Sequence, residues 1–250
     1  MMRITETVKQ LIIINIIFFV GTYLIGQEVA VSFLGLHFPE NPEFKLWQPL
    51  TYMFMHGNVM HILFNMLGLF MFGSFLEQVW GAQKFIFFYI SCGLGAALLH
   101  IGINYISFYN VANTLMASGL SHQDILTALN THNFEPLYGK IDQSQFDTLT
   151  SAYYIPTVGA SGAIYGILVA FAFIAPNAGL MLLFFPIPIK AKYFVPGILV
   201  YDLIMGLKGQ SLFGSGDDGV AHFAHLGGAS IGFLMMWYWK KNQFNNNRWN

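Results

Sequence analysis

Gly159-Ala160-Ser161-Gly162-Ala163-Ile164-Tyr165-Gly166 sets one serine among small residues where a polar segment gives way to an apolar one. Small neighbours let another backbone come close to the hydroxyl. A helix that begins here places its unpaired N–H groups and positive dipole end beside Ser161, where an oxyanion can be held. The same octet also reads as packing. Gly162 and Gly166 are four apart, and small-xxx-small is the ordinary contact pattern of membrane helices. The octet is not the G-x-S-x-G elbow of soluble hydrolases, because Ala163 stands where the last glycine belongs.

Composition fixes the class. Of the 250 residues, 55% are hydrophobic and only 9% charged, with a mean hydropathy of +0.54. Ordinary soluble domains carry about a quarter charged residues. The chain therefore reads as an integral membrane protein, better divided into spans of about 20 apolar residues than into soluble domains. A net charge of −1 and the lack of a basic run argue against a nucleic-acid partner. Cys92 stands alone, so no intrachain disulfide can form. The apolar run from Leu11 to Gly26 has a short basic start but no convincing small-x-small cleavage site after it. It reads as a retained first span.

Six spans are expected, over about 11–30, 58–79, 85–107, 160–175, 193–208 and 221–239. Residues 109–156 form one long polar insertion in a single domain of residues 1–250. Within it, Ser121 to Asp124 reads as a capping box for a helix ending near Asn130, and Ser144 with Asp147 as a second start. Phe185-Pro186-Ile187-Pro188-Ile189-Lys190 reads as a proline-rich hairpin, Gly214 to Gly219 as a polar turn, and Asn245 to Asn247 as a frayed tail. With the N-terminus inside, Arg3, Lys9, Lys84, Lys190, Lys192, Lys240, Lys241 and Arg248 fall on the inner side. Only Lys45, Lys140 and Lys208 fall on the outer side. The positive-inside rule then puts both termini in the cytoplasm and the insertion outside.

This topology brings polar side chains to one level. Spans two, four and six all start at the outer face, carrying His56, His61 and Asn65, then Ser161, then His222 and His225. Polar groups within a membrane are costly and point to a functional site. His61 and Asn65, at i and i+4, share a helix face and can offer two donors to one oxyanion. They can equally hydrogen-bond between helices. His225 is the candidate general base for Ser161, although a satisfied interhelical histidine would look the same. Gly228 and Gly232 thin the face of His225, as Gly162 and Gly166 thin the face of span four, so the two helices can close on each other. Tyr165, one turn below Ser161, can stack on the imidazole. His222 lies nearer the Gly214–Gly219 turn, where a solvated or capping role is expected. Neither Asp202 on span five nor Glu77 at the inner end of span two is expected as a third member, which leaves a dyad. No motif calls for a cofactor or a metal. A secondary transporter would show inverted repeats, and none is visible. A catalytically dead binding module for membrane helices would lack the serine or the histidine, and both are present.

The run from His56 to Asn65, the Gly159-Ala160-Ser161-Gly162 motif and Ala224-His225-Leu226-Gly227-Gly228 resemble the rhomboid family of intramembrane serine proteases. The resemblance implies an all-α membrane protein, a six-transmembrane-helix rhomboid-like bundle with a long extramembrane insertion between helices 3 and 4. It implies Ser161 as nucleophile and His225 as its base, with His61, Asn65 and the Ser161 N–H on the oxyanion. Gly159 opens the motif and belongs to the same support. Tyr165 matches the family's aromatic beneath the histidine, and Glu77 its acidic residue closing the second span. The implied substrates are transmembrane proteins cut near the outer face of a lipid bilayer, with span five and the loop before span six taking part in their entry. A bacterial plasma membrane fits this reading. The sequence departs from many members in two places. The insertion 109–156 is long, and Trp47 is followed by Gln48 where an arginine is common.

Overall fold

The structure, a computed structural model, describes residues 3–182, 185–208 and 219–246. Helix α1 (Glu6–Ile25) stops at Gly26, whose φ of +96° suits glycine, and α2 (Gln27–Leu34) follows as a separate helix. The expected single span of 11–30 therefore breaks at Gly26. A short α3 (Gln48–Thr51) and a 3₁₀ turn (Tyr52–Phe54) lead into α4 (Val59–Gly68). Asn58 caps α4 by accepting the His61 N–H at 2.8 Å. A π-helical turn, Leu69–Gly73, joins α4 to α5 (Ser74–Trp80). Glu77 of α5 caps a different helix. Its carboxylate accepts the N–H groups of Thr7 (3.1 Å) and Val8 (3.0 Å) and the Thr5 hydroxyl at the start of α1.

Helix α6 (Ala82–Ala117) is 36 residues long, about 54 Å at 1.5 Å per residue. It passes well beyond the expected end at 107 and carries the first residues of the predicted insertion. The rest of that insertion is α7 (His122–Asn130), a 3₁₀ turn (Glu135–Leu137) and α8 (Gln143–Tyr154). The capping box of Ser121 and Asp124 forms as expected. The Ser121 hydroxyl and N–H hold the Asp124 carboxyl below its ordinary range. The second helix instead starts two residues earlier than expected, on a box made by Asp142 and Gln145. Aspartate at the N-cap accepts the Gln145 N–H, which Ser144 inside the helix cannot do.

Helix α9 (Ser161–Ile174) precedes a two-stranded antiparallel sheet, β1 (Gly179–Leu182) and β2 (Phe185–Lys190), with Gly179 opposite Lys190 and Leu180 opposite Ile189. The fold is thus mainly helical, not purely so. Helices α10 (Ala191–Lys208) and α11 (Gly219–Asn246) complete it. Of the expected polar turn, residues 214–218, with Asp217 and Asp218, lie outside the described residues, as does Asn247 of the tail. Among the described residues, Glu6–Ile25, Val59–Trp80 and Ala82–Ala117 are long and apolar enough to cross a membrane, and Ser161–Ile174 is a shorter apolar helix. Helix α10 carries Lys192, Asp202 and Lys208, which dilutes its apolar character.

Among the described residues, two larger cores stand beside two smaller apolar clusters. The larger gathers Leu69, Phe85, Tyr89, Cys92, Ala163 and Ile167 between the long helices. The second joins Phe108, Val111 and Leu115 of α6 to Ile125, Leu129, Leu149 and Tyr153 of the insertion, with Phe38 from the first loop. That loop is tied down by Gln48, which is fully buried. Its amide donates to the carbonyls of Ser32 (3.2 Å) and Glu43 (2.8 Å) and its oxygen accepts the His37 N–H. The insertion holds the same loop from its other side. Asn41 donates to the Tyr153 carbonyl at 3.0 Å, and the Tyr109 hydroxyl to Glu40 at 2.7 Å.

Candidate active site

Ser161 is the first residue of α9, and the preceding Ala160 offers no side-chain cap, so the first N–H groups of this helix remain open to a ligand. Gly159 approaches with φ +133°, and its N–H donates to the Tyr52 carbonyl at 2.9 Å. Across from it, α11 brings His225 so that Nε2 lies 2.9 Å from Ser161 Oγ. The glycines account for this closeness. A Cβ on Gly228 would run into the backbone of Gly162, and one on Gly232 would stand 2.8 Å from the Gly166 Cα. On its other side Gly162 meets Ala96 of α6, so three helices converge beneath the serine. The Tyr165 ring stacks on His225 with centroids 4.2 Å apart and planes 10° from parallel.

Two expectations are corrected on the far side of the imidazole. Asp202 does reach the site: its Oδ1 lies 3.4 Å from His225 Nδ1 and 2.5 Å from His222 Nδ1. His222 is not a solvated residue, since it is 5% exposed. The two histidines are three apart on α11 and so present neighbouring faces to α10, where one carboxylate serves both. A buried carboxylate needs such partners, because desolvation without them costs far more than a helix contact returns. A signal existed in the sequence. Counted down from the expected outer end of span five at Lys208, Asp202 lies six residues deep, close to the level of His225 four residues into span six. Asp202, His222 and His225 also hold ligand atoms within 4.8 Å of one another, the arrangement among the described residues that a metal ion could bridge. Their mutual hydrogen bonds already account for it.

His61 stands at the open end of α9. A Cβ added to Gly159 would lie 2.8 Å from His61 Nε2 and 3.5 Å from Ser161 Oγ, so glycine keeps that gap clear. Asn65 donates one amide hydrogen to the His61 carbonyl at 2.8 Å. An amide has two such hydrogens, and the second stays available. His56 is buried and packs edge-on against the His61 ring, with centroids 5.0 Å apart.

Comparison with known proteins agrees with the fold. The Rhomboid domain family model matches residues 43–122 and 96–242. The chain is 25% identical over 96% of its length to RHOMBOID-like protein 12, mitochondrial, of Arabidopsis thaliana. It is 29% identical over 76% of its length to Rhomboid protease AarA of Providencia stuartii. It is 26% identical over 83% of its length to Rhomboid protein 1, mitochondrial, of Saccharomyces cerevisiae. The chain spans 60%, 54% and 61% of those relatives' own lengths, in that order. The family match and the apolar helices mark an integral membrane protein, and the chain belongs to the rhomboid family.

Proposed function

We propose that this protein is an intramembrane serine endopeptidase that cuts transmembrane segments near the outer membrane face. The observation that carries the reading is the 2.9 Å contact of Ser161 Oγ with His225 Nε2 at the positive end of α9. In this mechanism Nε2 removes the Ser161 proton as Oγ attacks the scissile carbonyl carbon. The oxyanion that forms receives the Ser161 N–H, His61 Nε2–H and the spare Asn65 amide hydrogen. The imidazolium returns the proton to the leaving amine, and water then releases the acyl group by the same steps in reverse.

Asp202 joins this scheme as a positioning residue. With Nε2 accepting from the serine, Nδ1 carries the hydrogen and points it at the carboxylate. His222 holds the same carboxylate oxygen, and Tyr165 fixes the ring plane. Around the site the chain crosses the membrane six times, with both termini in the cytoplasm and the insertion outside. Substrates are single-span membrane proteins reaching the serine past α10. A fluorophosphonate probe tests the reading. Labelling of the wild type that vanishes in Ser161→Ala and His225→Ala is expected. A folded protein that takes no label and cuts no membrane substrate would be a helix-binding relative instead.

A further inference from the structure

A cavity of about 710 Å³ opens between α9, α10 and α11, away from the serine. Its walls are apolar, with Val169 and Phe173 from α9, Val195 and Leu199 from α10, and Leu226 and Phe233 from α11. Lys192 and Lys240 line it too, at the start of α10 and near the end of α11. The helix sequence fixes its length. From Leu226 to Lys240 is 14 residues, about 21 Å, against about 15 Å for the hydrocarbon of one leaflet. The groove thus runs the depth of a leaflet with its cations gathered at one end.

Neither lysine has a carboxylate within ion-pairing distance among the described residues. The Lys192 ammonium lies 5.2 Å from the Tyr193 ring centroid. In an integral membrane protein, an apolar crevice between helices is filled by hydrocarbon, since water there would have nothing to bond. Two unpaired ammonium groups at its mouth then choose the headgroup by charge.

We infer that this groove binds one anionic phospholipid, its tail between α9, α10 and α11 and its phosphate between Lys192 and Lys240. The site is separate from the Ser161 chemistry and does not depend on the protease reading.

The test uses the purified full chain in mild detergent with phosphatidylglycerol or phosphatidylcholine of identical tails, read by native mass spectrometry and thermal unfolding. One phosphatidylglycerol is expected to stay bound in preference to phosphatidylcholine, by about tenfold, and to raise the unfolding temperature. Lys192→Gln with Lys240→Gln should erase the preference. Lys190→Gln with Lys241→Gln, which removes the same charge outside the groove, should keep it. Ser230→Trp, at an exposed position on the groove wall, should block binding of either lipid in a protein that still unfolds cooperatively. Equal loss in both lysine pairs would mean general surface attraction and would overturn the site. So would protection by glycerol phosphate alone, which has no tail. A neutral single-span peptide that displaces lipid and still binds after the Lys192 and Lys240 changes would make the groove a helix-binding surface, and the proposal would fail.

Discussion

The helix contact beneath Ser161 and the packing of the insertion are held together in different ways. Beneath Ser161 the helices meet by omission. Gly162, Gly166, Gly228 and Gly232 bring backbone against backbone, and Ala96 fills what little space remains. In the insertion they meet by bulk, with Phe38, Phe108, Leu149 and Tyr153 fully buried or nearly so. The solvent explains the contrast. Lipid tails are as apolar as leucine, so burying large side chains gains little between membrane helices, and close contact has to supply the attraction. An insertion that faces water, as proposed here, gains from every apolar surface it hides. Closeness has a second use. A serine and an imidazole on separate helices can share a proton only if the helices nearly touch.

The sharpest break of this comparison is chemical. Ser161→Ala or His225→Ala is expected to lower cleavage by about 10⁴-fold or more, while the unfolding temperature stays near wild type. No point change in the insertion's core should do both. Asn65→Ala should lower cleavage by about 10²–10³-fold. Asp202→Asn should lower it by about 10–10²-fold, as part of the general-base contribution is lost. For Asp202 the pH–rate profile decides the role. A positioning carboxylate moves the acidic limb, where the general base is lost to protonation, whereas a merely structural one lowers the whole curve evenly.

Stability measurements separate the two packings. Gly228→Ala puts a Cβ where the Gly162 backbone already stands, and should cost about 3 kcal/mol by calorimetry or steric trapping. Gly102→Ala, with open space around it, should be neutral or slightly stabilising. Leu149→Ala should cost about 2–3 kcal/mol, confined to the insertion in hydrogen exchange, with Ser161 still labelled by probe. The smallest effect belongs to the cap of α7. Ser121→Ala should cost about 1 kcal/mol locally. Its partner Asp124 has a lowered pKa, so its support is present above the ordinary value of 3.8 and fades as pH falls below it.

The sequence disclosed most of the near side of the site, because glycine spacing reports which helix faces meet. Gly162 with Gly166 and Gly228 with Gly232 pointed Ser161 at His225, and Tyr165 followed one turn below. Asp202 stayed hidden because its partner face is not marked by small residues. Finding it takes a depth count across two spans of opposite direction. His222 was misjudged on its nearness to a polar turn, when a carboxylate on the next helix decides its burial. In the fold, the cap at Ser121 was legible because two residue types three apart specify it. The end of α6 was not, since Tyr109 and Asn110 read as the start of a loop until Phe38 and Tyr153 are known to pack against Phe108. Gln48 was equally silent. An amide reads as surface until the three backbone groups it satisfies are in place.

Helix α6 has a consequence of its own. One unbroken rod carries Ala96, which touches Gly162 under the serine, and Phe108 and Leu115, which anchor the insertion. At about 54 Å it outreaches the roughly 30 Å hydrocarbon slab. A rod without a joint works as a lever, with its fulcrum where the bilayer grips it. A tug or twist on the insertion is then felt at the floor of the serine's niche.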